Sequence, residues 1–112
     1  SRKTGFTLFS LQIYIAYLKE VRYNAKVQIS SKTIEIGDRL SKVEILMKSE
    51  DGKTIHSVLW LTVIYFDMKT RTSVSHPEET KDLFRNFLVN LEEKDFQSRA
   101  ISLRKLNKSA NK

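Results

Sequence analysis

Four long runs of alternating side chains constrain this chain more than any other feature. From Thr7 onward, Phe9, Leu11, Ile13, Ile15 and Tyr17 fall on one face, with Ser10 and Gln12 on the other. That is the period of two that a half-buried strand needs. A second run, Lys26–Ile36, is rich in β-branched residues and stops at Gly37-Asp38. A third, Arg39–Ser49, sets Val43, Ile45 and Met47 against Lys42, Glu44 and Lys48. The fourth, Thr54–Asp67, is apolar on both faces, with Ile55, Leu59, Leu61, Val63 and Tyr65 opposite Val58, Trp60, Ile64 and Phe66. Two-sided apolarity marks a strand covered on both sides. Asp51-Gly52, between the third and fourth runs, offers the positive φ angles of a tight hairpin turn. Gly5 punctuates the chain just before the first run.

The pattern then changes from strand to helix. Ser75-His76-Pro77-Glu78 reads as a helix start: Ser75 can cap, Pro77 suits the first turn, and Glu78 and Glu79 favour the positive end of the dipole. Leu83, Phe84, Phe87, Leu88 and Leu91 recur at helical spacing, which predicts a helix over 77–93 with one apolar stripe. Phe96, Ile101, Leu103 and Leu106 give a second, weaker helical pattern. The expected fold class is α+β: an antiparallel sheet of about four to five strands with an amphipathic C-terminal helix. The expected organisation is a single domain over 1–95 followed by a basic C-terminal tail over 96–112.

Composition excludes several chemistries. The absence of cysteine removes disulfides, thiol catalysis and cysteine-ligated zinc. The longest apolar run, Val58–Phe66, is far short of the roughly 20 residues of a membrane helix. No leader pattern is read at the start, so the expected location is the cytoplasm. Of the net charge of +7, Phe96–Lys112 contributes +5 with no acidic residue. The body is therefore nearly neutral, without the basic, aromatic-studded stripe of a nucleic-acid platform. There is no glycine-rich phosphate loop, nucleophile elbow or metal-spaced histidine pair. His56 reads as a hydrogen-bonded structural histidine and His76 as an exposed one. Glu20, beside Lys19 at a strand end, is the acid next to an expected apolar cleft.

The order of the pieces adds a family resemblance. Phe6–Arg22, with Tyr17-Leu18-Lys19-Glu20-Val21-Arg22 at its end, resembles the strand that follows the central helix in hotdog-fold acyl-CoA thioesterases. Asn24-Ala25-Lys26-Val27 is similar to the turn that opens their next strand. Asp51-Gly52-Lys53 resembles their hairpin, and Leu61–Thr70 followed by Pro77-Glu78-Glu79 resembles their closing strand and short helix. The spacing agrees from Phe6 to about Leu88, most nearly with the 4-hydroxybenzoyl-CoA thioesterase-like branch, which includes enzymes of carnitine-derived acyl-CoAs.

The resemblance implies hydrolysis of an acyl-CoA thioester, with coenzyme A as part of the substrate and no separate cofactor. It implies a homodimer or higher homo-oligomer, and a substrate cleft bordered by Tyr17, Lys19, Glu20 and Arg22. The family's opening strand and central helix have no counterpart before Gly5, and Ser1 rather than Met fits a piece of a longer protein. The catalytic carboxylate sits at that helix start, so the resemblance assigns the general base to no residue here. Asn24-Ala25 stands where the family has Gly-Asp, and bulky Ile55-His56 where it has a small residue. If the chain is instead a reduced relative, the stripe Leu83, Phe84, Phe87, Leu88 and Leu91 becomes the principal core contact. The other class of function is then a non-catalytic domain that dimerises and holds an acyl group or a protein.

Overall fold

The computed structural model describes the backbone of residues 6–110 and the side chains over 8–109; Gly5 and Lys112 lie outside the described residues. The strands are β1 (Phe6–Tyr17), β2 (Val27–Ile36), β3 (Leu40–Ser49), β4 (Ile55–Asp67) and β5 (Thr72–Val74). They form one five-stranded antiparallel sheet in the order β1-β4-β3-β2, with β5 paired to β4 from Tyr65↔Val74 to Asp67↔Thr72. Two helices follow, α1 (Glu78–Asn86) and α2 (Phe96–Ala110). All four alternating runs are strands, and their ends fall within a residue or so of the sequence pattern.

Turn chemistry explains the connections. The β3–β4 hairpin closes with Ser49 N donating to Thr54 O and Gly52 N to Ser49 O. The Ser49–Thr54 bond closes the loop around residues 50–53, longer than a two-residue turn, and within it Gly52 takes positive φ, +76°. Asp51 stiffens it, accepting from Ser49 Oγ at 2.6 Å and Lys53 N at 3.0 Å. Asn24 sits at φ 64°. An asparagine tolerates the left-handed region far better than most residues, so it fills the place that the resemblance gives to glycine. Arg71, at φ 58°, turns the chain into β5, a strand the sequence pattern does not predict.

The chain divides into two compact units. In the first (1–13, 32–43 and 61–90), α1 is shorter than expected and buries none of its residues. Leu83 and Phe87 are each 57% exposed, so the Leu83–Leu91 stripe is not the core contact that the reduced-relative reading calls for. The helix stops because the backbone after it has another use: Thr33 N donates to Phe87 O and Val89 N to Thr33 O, a bridge onto edge strand β2. Ser75 is not the cap. Its hydroxyl donates to Asp38, which also holds Lys81 at 2.9 Å, while Pro77 occupies the cap position.

In the second unit (14–31, 44–60 and 91–112), α2 supplies the buried side chains Ala100, Leu103 and Asn107. Asn107 pairs its amide with the backbone of Ile55, accepting from its N–H and donating to its carbonyl, both at 2.8 Å. In this part of β3 the buried side chains are Glu44 and Leu46, on the face opposite the Val43, Ile45 and Met47 that alternation favours. A charge can take that face because Glu44, 0% exposed, meets Arg99 of α2 through two hydrogen bonds of 2.8 and 2.9 Å and accepts from Trp60 Nε1 at 2.8 Å. Arg99 also faces Glu93 at 3.5 Å. The Glu44 carboxylate raises the guanidinium's pKa against the opposing effect of burial.

Candidate functional site

Within the second unit, the segment after β1 folds back against the start of β4. Leu18 N and Lys19 N both donate to His56 O, at 2.8 and 3.2 Å, and His56 Nδ1 donates to Lys19 O at 3.1 Å. The chain then turns at Arg22–Ala25, where Ala25 N donates to Arg22 O, and enters β2. These connections border an open cavity of about 670 Å³ lined by Tyr17–Val21, Ala25, Val27, Met47, His56 and Ser57. That is the usual size of a small-molecule site, and the mix of mostly apolar wall with a few polar groups is also typical.

Three of the four residues predicted to border a substrate, Tyr17, Lys19 and Glu20, line this cavity; Arg22 does not. Arg22 instead gives its carbonyl to the turn beyond. Val27, Met47 and His56 complete the wall although sequence reasoning did not bring them to it. Met47 sits on the half-exposed face of β3, and its alternation phase is the signal that could have found it. His56 is hydrogen-bonded, as expected, but its partner is a carbonyl in the loop, which only the fold brings near. Among the described residues, no group of three or more His, Asp or Glu side chains converges as a metal site requires.

The other histidine corrects the sequence reading. His76 is 3% exposed, not solvent-facing. Its backbone N–H is held by Asp38 O, Nε2 lies 3.3 Å from the buried Ser41 Oγ, and the ring packs against Phe84 and Tyr65. Nδ1 is buried without a hydrogen-bond partner among the described residues. Burial, helped by the Lys81 charge and opposed by Asp38, pushes its pKa below the ordinary 6.5. The unfolded chain therefore binds a proton that the folded chain resists, so folding is favoured above pH 6.5 and weakens as pH falls below it. Urea unfolding from about pH 8 to 5.5 shows this as a falling midpoint, and His76→Phe loses most of that slope. The depressed carboxylates Asp38, Asp51, Glu93 and Asp95 lose their contributions only at lower pH, below their ordinary values of 3.8 and 4.5.

No family model matches the sequence, and no curated protein matches it. Solved structures do match its fold. A hypothetical protein from Staphylococcus aureus, solved in complex with CoA, superposes with a TM-score of 0.72 at 18% identity, over 84% of this chain and 61% of that one. YbaW of Escherichia coli, named a probable thioesterase, gives 0.67 at 14% identity over 77% of this chain and 65% of its own. A 1,4-dihydroxy-2-naphthoyl-CoA thioesterase from Synechocystis gives 0.69 at 6% identity, over 76% and 62%. The fold is that of hotdog thioesterases. The matched part thus spans less than two thirds of these chains, and at such identities the likeness carries the fold and not a branch of the family.

Proposed function

We propose that this chain carries the acyl-thioester cavity of an acyl-CoA thioesterase-like protein. The observation that carries the reading is the cavity itself, whose wall holds Tyr17, Lys19 and Glu20 where the family resemblance puts the substrate. Support also comes from fold neighbours that are named thioesterases, one of them solved with CoA. In this reading the apolar wall of Val21, Val27 and Met47 takes the acyl or pantetheine chain. Lys19 and Arg22, with the basic 96–112 segment, meet the CoA phosphates, and the site works in the cytoplasm. β1 is one edge of the sheet and exposes Leu11, Ile13 and Tyr17, which suits pairing with a second copy in a homodimer or larger assembly.

The test is a panel of acyl-CoAs, short-chain, long-chain and 4-hydroxybenzoyl, with calorimetric binding and thiol release measured on the full-length protein carrying this sequence. At least one is bound and hydrolysed, and Met47→Trp, which fills the cavity, weakens binding about tenfold. Absence of binding across the panel sinks the reading. Binding without turnover favours the other class, a hotdog domain that holds an acyl group without hydrolysing it. Light scattering of the same protein is expected to give a multiple of its single-chain mass; a monomer contradicts the assembly.

A further inference from the structure

We infer that residues 76–89 form an acid-releasable strap: a second proton on the His76 ring frees α1 and uncovers edge strand β2 at Thr33. The inference is independent of the acyl-thioester reading, and every group it uses lies in the first unit. At the start of the strap, His76 N donates to Asp38 O at 2.8 Å, and the ring is buried against Ser41, Tyr65 and Phe84. At its end, the backbone makes one parallel bridge to β2, with Thr33 N donating to Phe87 O and Val89 N to Thr33 O, both at 2.9 Å. Between these points α1 buries no residue. Its ties to the sheet are the Phe84–His76 ring contact, 5.4 Å between centroids, and the Lys81–Asp38 pair. A segment with so few buried contacts opens at lower cost than the strands beneath it.

The ring is seated only while it is neutral. Nε2 lies 3.3 Å from Ser41 Oγ, and a hydroxyl either gives or takes the hydrogen, so each neutral tautomer fits. The imidazolium carries a hydrogen on both nitrogens. Nδ1 then has a buried N–H with no acceptor among the described residues, which is costly.

The charged neighbours give no relief. Lys81, on α1, repels a second cation. Asp38, in the β2–β3 turn, attracts it but already accepts from Ser75 Oγ and Lys81 Nζ. Those bonds lower the Asp38 pKa, so this carboxylate stays ionised while a histidine titrates. Arg39 is turned to Ser73 O, and Glu78 faces Lys81 and Arg85. β4 offers the Tyr65 ring and β3 the Ser41 hydroxyl. A protonated ring is therefore accommodated outside the site, where Phe84 and α1 lose their hold. Two backbone bonds at Thr33 are then left to keep the strap, and their loss gives β2 an open ladder position.

Native-state hydrogen exchange on the full-length protein carrying this sequence tests the strap, each rate being corrected for the intrinsic rate at its pH. From pH 7 to 5.5 the opening constants of the Thr33 and Val89 amides are expected to rise about five- to tenfold, because the ring is harder to protonate closed than open. This opening is expected to be insensitive to low urea, whereas exchange at buried Val58 depends on urea steeply. His76→Phe keeps a ring beside Tyr65 and Phe84 and is expected to abolish the pH dependence. In the parent protein, the His76 Cε1–H resonance is expected to titrate together with the Thr33 and Val89 amide shifts. Strap amides that share the urea dependence of Val58 at pH 5.5 overturn the inference, because the proton then unfolds the sheet as well. A rise that persists in His76→Phe overturns it too, as does a ring that titrates without moving Thr33 and Val89. None of these outcomes touches the acyl-CoA reading.

Discussion

Replacing Arg99 with methionine is expected to lower the unfolding free energy by about 3–5 kcal/mol, read from urea denaturation near pH 7. The cause is not the lost attraction alone. Glu44 has no solvent exposure, and its carboxylate is held in place by the two guanidinium bonds and the indole N–H of Trp60. Taking away the cation leaves a buried charge that water cannot reach, which costs far more than a surface pair of the same geometry. Adding Glu44→Gln to Arg99→Met is therefore expected to recover most of the loss. The amide carries no charge, and its oxygen still accepts from Trp60. A loss below about 1 kcal/mol for Arg99→Met shows instead that water reaches Glu44, contrary to its burial here.

The second large effect separates the two helices. Leu103→Ala, at a side chain only 1% exposed on α2, is expected to cost about 2–5 kcal/mol, the range for opening a cavity at a buried leucine. Leu83→Ala on α1, 57% exposed, is expected to change stability by about 0.5 kcal/mol or less. Equal costs at the two positions contradict the assignment of the core to α2. The contrast bears on the site as well, because Asn107, one turn beyond Leu103, holds both backbone groups of Ile55, the residue immediately before His56.

Sequence reading ranked these helices in the opposite order. The 83–91 stripe has the stronger helical spacing, yet α1 ends at Asn86 and its one leucine, Leu83, faces solvent. The α2 pattern is weak because one of its core positions is a polar residue, Asn107, and its strongest anchor is a charged one, Arg99. Hydrophobic periodicity is blind to both. A buried Asn or Arg reads as surface until its partners, here Ile55 and Glu44, are brought against it from more than 50 residues away. The same blindness placed Glu44 on the outer face of β3 and His76 in solvent.

The cavity was half legible. Tyr17, Lys19 and Glu20 lie together in sequence, so a motif could bring them to the site as a group. His56 could be recognised only as a histidine with some hydrogen-bond partner. That the partner is Lys19 O depends on a contact across 37 residues.

By itself, the sequence determined where the four long strands run, where the β3–β4 hairpin turns and which fold the chain adopts. These follow from local periodicity, the left-handed tolerance of Gly52 and Asn24, and the order of short motifs. Only the tertiary structure decided which helix forms the core, which face of β3 is buried and which histidine reaches the cavity. A polar side chain becomes interior or exposed through partners distant in sequence, and their approach is a property of the folded chain rather than of any local pattern.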